Sequence, residues 1–205
     1  MKIQGSVIVD ETDKIVSALE FWNWNKKNTD SLGLKILGLA KPKLRIILKD
    51  NQPSFEVCLS TDIGIIAPQF DPTPVEYVVY QNYWIPYDMN YMAPLRAALE
   101  LLNAWPLSQI SVGKLLKLIS ALREHQIEID DEAELENYEV NTSHVTAVEL
   151  ALPLYEYQEK GIAWLIELSN QEIGGLLCDE MGLGKTVQAF GLIKHFVDGG
   201  RKKIL

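Results

Sequence analysis

The chain has 205 residues, 47% hydrophobic and 23% charged, with a formal net charge of −9 at neutral pH. This composition is typical of a globular protein with one large or two small domains, and its acidic balance argues against binding nucleic acid through bulk positive charge. No apolar run is long enough to cross a membrane. Two cysteines, Cys58 and Cys178, are too few for a disulfide framework or a cysteine-based zinc site. We expect a cytosolic type of protein without metal clusters or membrane contact.

Residues 1–125 are predicted to form an α+β domain. The sequence does not define the role of this domain or the order of its strands. Short runs of β-branched and aromatic residues, separated by turn formers, predict strands at 3–9, 43–48, 54–59, 63–67 and 75–80. Apolar spacing predicts helices at 95–102 and 112–123, with a buried stripe along the second. Aromatic and basic residues meet at 21–27, which we interpret as an exposed turn rather than a nucleic-acid contact.

An aromatic cluster lies near the end of this domain: Tyr77, Tyr80, Tyr83, Trp84, Tyr87 and Tyr91. A stacking platform for single-stranded nucleic acid also needs basic side chains, and residues 75–92 contain no Lys or Arg. The sequence therefore favours a core strand with an aromatic patch that faces a protein partner.

Residues 126–148 are rich in acidic side chains and poor in large apolar ones. Such a segment buries little surface, so we interpret it as a solvated acidic linker and a domain boundary. A second hypothesis is regulatory. The acidic block would cover a positively charged surface until a partner removes it.

Residues 149–205 follow a different pattern. A helix at 157–168, an apolar strand at 174–178, a glycine-rich turn, a helix at 185–196 and a strand at 203–205 are typical of the opening of a parallel-sheet α/β domain.

The glycine-rich turn, residues 179–186, reads Asp-Glu-Met-Gly-Leu-Gly-Lys-Thr. Gly182 and Gly184 lack a Cβ, so the amides from Met181 through Leu183 and beyond can approach phosphate oxygens at a helix N-terminus. Lys185 can place its charge on the β- and γ-phosphates, and the Thr186 hydroxyl can ligate Mg²⁺. The alternative is a tight turn that only caps a helix.

A second motif upstream, Tyr157-Gln158, Gly161 and Trp164-Leu165, precedes this phosphate loop. Together the two motifs resemble the start of the Swi/Snf-type helicase-like ATPases of helicase superfamily two. Asp179, in place of the usual first glycine, and Gln188 both fit that family's pattern. The resemblance covers about residues 152–205 and leaves residues 1–150 out.

The resemblance implies a RecA-like lobe that binds ATP and Mg²⁺ through Gln158 and the loop, with Gln158 reading adenine, Lys185 as the catalytic residue and Thr186 on the metal. It implies an ATP-dependent translocase on double-stranded DNA, of which this chain is an amino-terminal fragment that ends shortly after the loop and does not itself turn over ATP. A regulatory or protein-interaction module that binds nucleotide without hydrolysis remains the alternative. A small-molecule kinase or GTPase is disfavoured, because such enzymes lack the upstream motif. The absence of a basic nuclear-type run favours the bacterial cytoplasm over the nucleus.

Overall fold

The computed structural model describes residues 1–28, 31–50, 52–68, 75–104, 110–135, 139–143, 145 and 148–200. The chain divides into two compact units. The amino-terminal unit comprises residues 1–110 and 114–135, and the carboxy-terminal unit comprises residues 111–113 and 136–205. The predicted domain limits at 125 and 149 stay a prediction.

The strands of the described residues all lie in the amino-terminal unit: β1 Lys2–Gln4, β2 Val7–Val9, β3 Lys35–Ile36, β4 Lys41–Lys49, β5 Gln52–Thr61, β6 Gly64–Ile66, β7 Tyr77–Tyr80, β8 Tyr83–Pro86 and β9 Glu128–Asp131. They form a two-stranded sheet β1-β2, a three-stranded sheet β3-β8-β7 and a four-stranded sheet β6-β5-β4-β9. In the largest sheet β4 pairs antiparallel with β5 and parallel with β9.

The helices are α1 Ala18–Lys27, α2 Met89–Leu101, α3 Val112–Glu124, α4 Glu156–Asn170 and α5 Lys185–Asp198. The mixed character of the fold, with several sheets, is as predicted. Helix α3 spans the predicted helix and buries Leu115, Leu118, Ile119 and Leu122 of the predicted stripe. Leu116, the fifth residue of that predicted stripe, is instead 47% exposed. Among the described residues, no helix is both long and apolar enough to cross a bilayer.

Two apolar clusters form the core of the amino-terminal unit. The larger lies between the four-stranded sheet and helices α2 and α3, and includes Leu44, Ile46, Leu59, Leu95 and Leu118. The smaller joins β2, α1, β7 and β8 around Phe21, Tyr77 and Trp84. Residues Tyr77, Trp84 and Tyr87 of the aromatic cluster are buried, and Tyr80, Tyr83 and Tyr91 pack against the larger core.

Several segments of the amino-terminal unit differ from the prediction. The single strand predicted at 3–9 is two strands, β1 and β2, which pair antiparallel. Strands β3 and β8 were not predicted. The predicted turn at 21–27 is helical, because Ser17 and Glu20 form a reciprocal capping box that starts α1 and Phe21 is fully buried. The predicted linker at 126–148 begins with a strand, since β9 pairs with β4 over residues 128–131. The negative side chains of β9 are matched by the ammonium of Lys43, which lies 2.8 Å from Glu128 and 3.3 Å from Asp130.

The strand predicted at 174–178 is not formed: this segment has no regular secondary structure. A strand needs a hydrogen-bonded neighbour, and the described part of the carboxy-terminal unit has no other strand with which it could pair. The strand predicted at 203–205 lies outside the described residues.

Candidate nucleotide-binding site

The loop at residues 179–184 leads directly into helix α5. Gly182 and Gly184 have φ values of 89° and 79°, in the left-handed region that glycine adopts without a Cβ penalty. Gly184 is also the N-cap of α5, so two left-handed residues turn the chain just before the helix begins. The first amides of an α-helix have no acceptor within the helix and carry partial positive charge. The loop therefore turns into the amino-terminal end of α5, and anion binding there stays a prediction.

Lys185 is the first residue of α5, and its side chain folds back over the loop. Its Nζ donates to the carbonyl oxygens of Asp179 at 2.7 Å and Glu180 at 2.8 Å. These bonds hold the ammonium on the loop. To bind an anion there, Lys185 would have to give up one of these two hydrogen bonds. Thr186 follows with an exposed side chain, and Met181 is 95% exposed. The predicted contribution of Met181 and Leu183 to a ligand is through their backbone amides.

Gln158 lies in the first turn of α4 and is buried against the loop, with 7% of its surface exposed. Its Oε1 accepts from the Tyr155 N–H at 3.1 Å, and its Nε2 donates to the Leu183 carbonyl at 3.3 Å. Both ends of the carboxamide are thus engaged in joining the start of α4 to the loop. Reading adenine stays a prediction for Gln158, and it requires one of these bonds to be exchanged.

Tyr157 of the upstream motif also contacts the loop, through a hydrogen bond that the sequence did not indicate. Its hydroxyl donates to the Leu183 carbonyl at 3.1 Å, and its ring stacks on that of Tyr155 with a 5.8 Å centroid separation and a 7° interplanar angle. Both tyrosines are exposed. The signal was present as the tyrosine before Gln158, but its hydrogen-bond partner lies 26 residues away in the chain. Next to this pair, a hydrogen bond from Lys160 lowers the pKa of the Glu156 carboxyl.

Helix α4 and helix α5 approach closely through glycines. A Cβ on Gly191 would overlap the side chain of Ile162, and one on Gly184 would overlap the carboxamide of Gln158. A Cβ on Gly161 would lie 2.9 Å from Cδ of Gln188, which is itself only 1% exposed. The absence of side chains at these positions lets the two helices and the loop pack as one site.

The donor set suits a magnesium–nucleoside triphosphate. Backbone amides, the Lys185 ammonium and the Thr186 hydroxyl are groups that bind phosphate oxygens and Mg²⁺. Within the described residues there is no group of three or more His, Cys, Asp or Glu side chains that could hold a metal ion by itself. A Mg²⁺ ion at this site would therefore take most of its ligands from phosphate and water, as Mg²⁺ bound to nucleotides does.

Comparison with known proteins finds similarity at the carboxy-terminal end of the chain. Residues 157–204 match the model of the SNF2-related domain. The chain is also 50% identical over 52 residues to the ATP-dependent helicase brm of Drosophila melanogaster, an alignment that covers 25% of this chain and 3% of brm. The carboxy-terminal end of the chain thus carries the start of an SNF2-related domain, and the predicted family resemblance is confirmed.

Two further relatives are named for chromatin. The chromatin-remodeling ATPase INO80 of Neurospora crassa is 30% identical over 156 residues, which cover 73% of this chain and 7% of INO80. The chromatin structure-remodeling complex subunit snf21 of Schizosaccharomyces pombe is 49% identical over 49 residues, covering 24% of this chain and 4% of snf21. The chain spans less than a tenth of the length of these relatives. Because the INO80 alignment is so long, similarity reaches upstream of residue 152, and confining it to 152–205 was wrong.

The predicted localisation is also wrong. We expected a bacterial cytoplasmic protein because the sequence lacks a basic run of the nuclear type. The relatives named above come from eukaryotes, and two of them are named for chromatin remodelling, which contradicts a bacterial cytoplasmic protein. The absence of a basic run from these 205 residues is weaker evidence about localisation than the similarity to these relatives.

Proposed function

We propose that the carboxy-terminal unit binds ATP with Mg²⁺. The observation that carries this proposal is the pair of left-handed glycines, Gly182 and Gly184, which turn the loop at the N-terminus of α5 immediately before Lys185 and Thr186. The loop amides and Lys185 would hold the phosphates, and the Thr186 hydroxyl would ligate the metal. Mg²⁺ supplies charge neutralisation on the phosphate oxygens when it is bound.

We further infer a RecA-like lobe around this site. Helix α5 carries an apolar stripe at Phe190, Ile193 and Val197, whose exposed fractions are 58%, 38% and 53%. A parallel sheet beside a phosphate loop buries such a stripe, because the helix after the loop packs on the sheet face. The apolar run at 174–178, just before the loop, is the segment that would supply the first strand of this sheet.

The activity of the longer protein is inferred from its relatives. Relatives of this chain are named an ATP-dependent helicase and chromatin-remodeling ATPases. We propose that the chain is part of an ATP-dependent translocase that acts on double-stranded DNA in chromatin. Nucleotide binding would shift that protein between a state that binds DNA tightly and a state that binds DNA weakly. A nucleotide-binding regulatory module is the competing proposal.

Nucleotide binding can be tested by titrating the 205-residue chain with a fluorescent ATP analogue in the presence of Mg²⁺. We expect saturable uptake, and we expect Lys185→Ala to weaken it about 10- to 100-fold, because a charge-assisted contact to phosphate is lost. Excess EDTA should also weaken uptake.

Lys194→Ala is the matched control, since Lys194 lies on the same helix but pairs with Asp198 instead of the loop. It should bind as the wild type does. Equal affinities for wild type and Lys185→Ala would reject the site. Phosphate release by the same samples measures turnover separately, and we expect none from this chain alone.

A further inference from the structure

The first position of the phosphate loop holds Asp179, where the general phosphate-loop pattern has glycine. The structure shows a hydrogen bond that an aspartate can make at this position and a glycine cannot. Nε2 of Gln188 donates to Oδ2 of Asp179 at 3.0 Å. Gln188 lies in the first turn of α5, nine residues further along the chain, so this bond joins the two ends of the loop.

The Gln188 side chain is enclosed. It is only 1% exposed, and it lies against Gly161 of α4, where a Cβ would overlap its carboxamide. Removing the acceptor of a buried amide donor destabilises the folded state, because the donor has no contact with water to replace it. The glycine that follows the Tyr157-Gln158 motif therefore provides the space in which Gln188 reaches Asp179.

Asp179 is held from two sides. Gln188 binds its carboxylate, and Lys185 binds its carbonyl oxygen at 2.7 Å. If Lys185 turns towards a phosphate, its bond to the carbonyl is given up, and the carboxylate bond to Gln188 is the one that still fixes the start of the loop.

We propose that Gln188 is a positioning residue of the nucleotide site, which keeps the loop closed through Asp179 so that the amides and Lys185 face one anion. This inference rests on the proposed binding of ATP at the loop. It concerns how the loop is held, and Gln188 itself need not touch the nucleotide.

The proposal is tested by swapping the hydrogen-bond donor and acceptor between Gln188 and Asp179. Gln188→Glu places two carboxylates against each other, and we expect about a 10-fold loss of affinity for the fluorescent ATP analogue with Mg²⁺. Asp179→Asn keeps an acceptor for Gln188 and should bind nearly as the wild type does. The double variant Asp179→Asn with Gln188→Glu restores the bond with reversed donor and acceptor, and it should recover most of the affinity.

Charge needs its own control, since Gln188→Glu adds a negative charge near the phosphates. Gln188→Glu with Glu180→Gln restores the same net charge but leaves the two carboxylates opposed. We expect no recovery in this variant. Recovery by both double variants, or by neither, would overturn the proposal.

If circular dichroism shows that Gln188→Glu does not fold, Asp179→Ala is the alternative variant. Asp179 is exposed, so its truncation leaves no buried charge. It should lose affinity while Asp179→Asn keeps it, and equal affinities of these two variants would refute the role of the bond.

Hydrogen–deuterium exchange over residues 179–190 distinguishes a failure of the proposed ATP binding from a failure of the proposed role of Gln188. We expect faster exchange in Gln188→Glu and Asp179→Ala, and wild-type exchange in the swapped pair. If exchange follows this pattern while wild type takes up no nucleotide, the proposed function fails, and only the role of Gln188 in holding the loop remains. If nucleotide binds and exchange is unchanged in the single variants, the positioning role fails.

Discussion

At the scale of single residues, the two cysteines have opposite environments. Cys58 lies in β5 and is fully buried, and this burial raises the pKa of its thiol. Cys178 is exposed and immediately precedes Asp179 of the phosphate loop. Because the thiolate is the reactive form, both low access and a raised pKa make Cys58 slow towards thiol reagents.

We therefore predict one fast and one slow thiol when the folded chain reacts with a chromogenic disulfide at about pH 8, near the ordinary pKa of a thiol. Cys178→Ser should remove the fast phase, and Cys58→Ser should leave it intact. Saturating ATP with Mg²⁺ should slow the reaction of Cys178, since it lies next to the loop. Two equally fast thiols in a folded sample would contradict the burial of Cys58.

The residues of the candidate site were proposed from the sequence, and their role stays a prediction; the hydrogen-bond partners of these residues could not be proposed in the same way. Gly182, Gly184, Lys185 and Thr186 follow from local pattern, because the chemistry of a phosphate loop is encoded in consecutive residues. The bonds of Gln158 to Leu183 and of Gln188 to Asp179 depend on how α4, the loop and α5 pack. Such packing is set by glycines distant in sequence, so no local pattern shows it.

At the scale of elements, strand β9 is stabilised by charge. The Lys43 side chain, 11% exposed in β4, donates to Glu128 of β9 at 2.8 Å and lies 3.3 Å from Asp130. The hydrogen bond to Glu128 is the main reason that the pKa of Lys43 is raised. The charged form is thus favoured by folding. Its contribution to stability is fully present below the pKa of an unfolded lysine and is lost as the pH rises through the raised value.

We predict that Glu128→Gln lowers the melting temperature at neutral pH, and that the difference from wild type narrows above about pH 10.4, the ordinary lysine value. Thermal unfolding followed by circular dichroism between pH 7 and pH 11.5 measures this. Glu139→Gln removes an equal charge outside the strands and should show no such pH dependence. A difference that stays constant to the highest pH would argue against the ion pair.

Strand β9 and helix α1 were missed for different physical reasons. Strands β4 and β5 and helix α3 carry strong local periodicity and were predicted. The residues of β9 are mostly acidic, and their compensating Lys43 lies 85 residues away, so local composition indicated a linker. Helix α1 did have a local signal, the Ser17–Glu20 capping box, but its aromatic and asparagine content favoured a turn.

At the scale of the whole molecule, charge is spread unevenly. The net charge of the chain is −9, yet residues 150–205 contain seven acidic and six basic side chains. The excess of negative charge therefore belongs to the first 149 residues. Duplex DNA is bound largely through Lys and Arg that neutralise phosphates, and this chain carries the opposite balance.

We accordingly predict that the 205-residue chain, with or without ATP and Mg²⁺, shows no saturable binding to a short DNA duplex at physiological salt up to about 100 μM, the weak end of ordinary non-specific binding. Fluorescence anisotropy of a labelled duplex measures this. Saturable binding in that range would contradict this prediction.

The basic run Arg201-Lys202-Lys203, which lies outside the described residues, is the place where this prediction is most open to failure. Replacing all three by glutamine provides the control. If wild type binds DNA with an affinity that falls steeply with salt, and the triple variant does not, then a local basic segment outweighs the acidic charge of the first 149 residues, and the chain contributes directly to DNA binding. Binding that is insensitive to both salt and the triple substitution would instead indicate contacts that are not electrostatic.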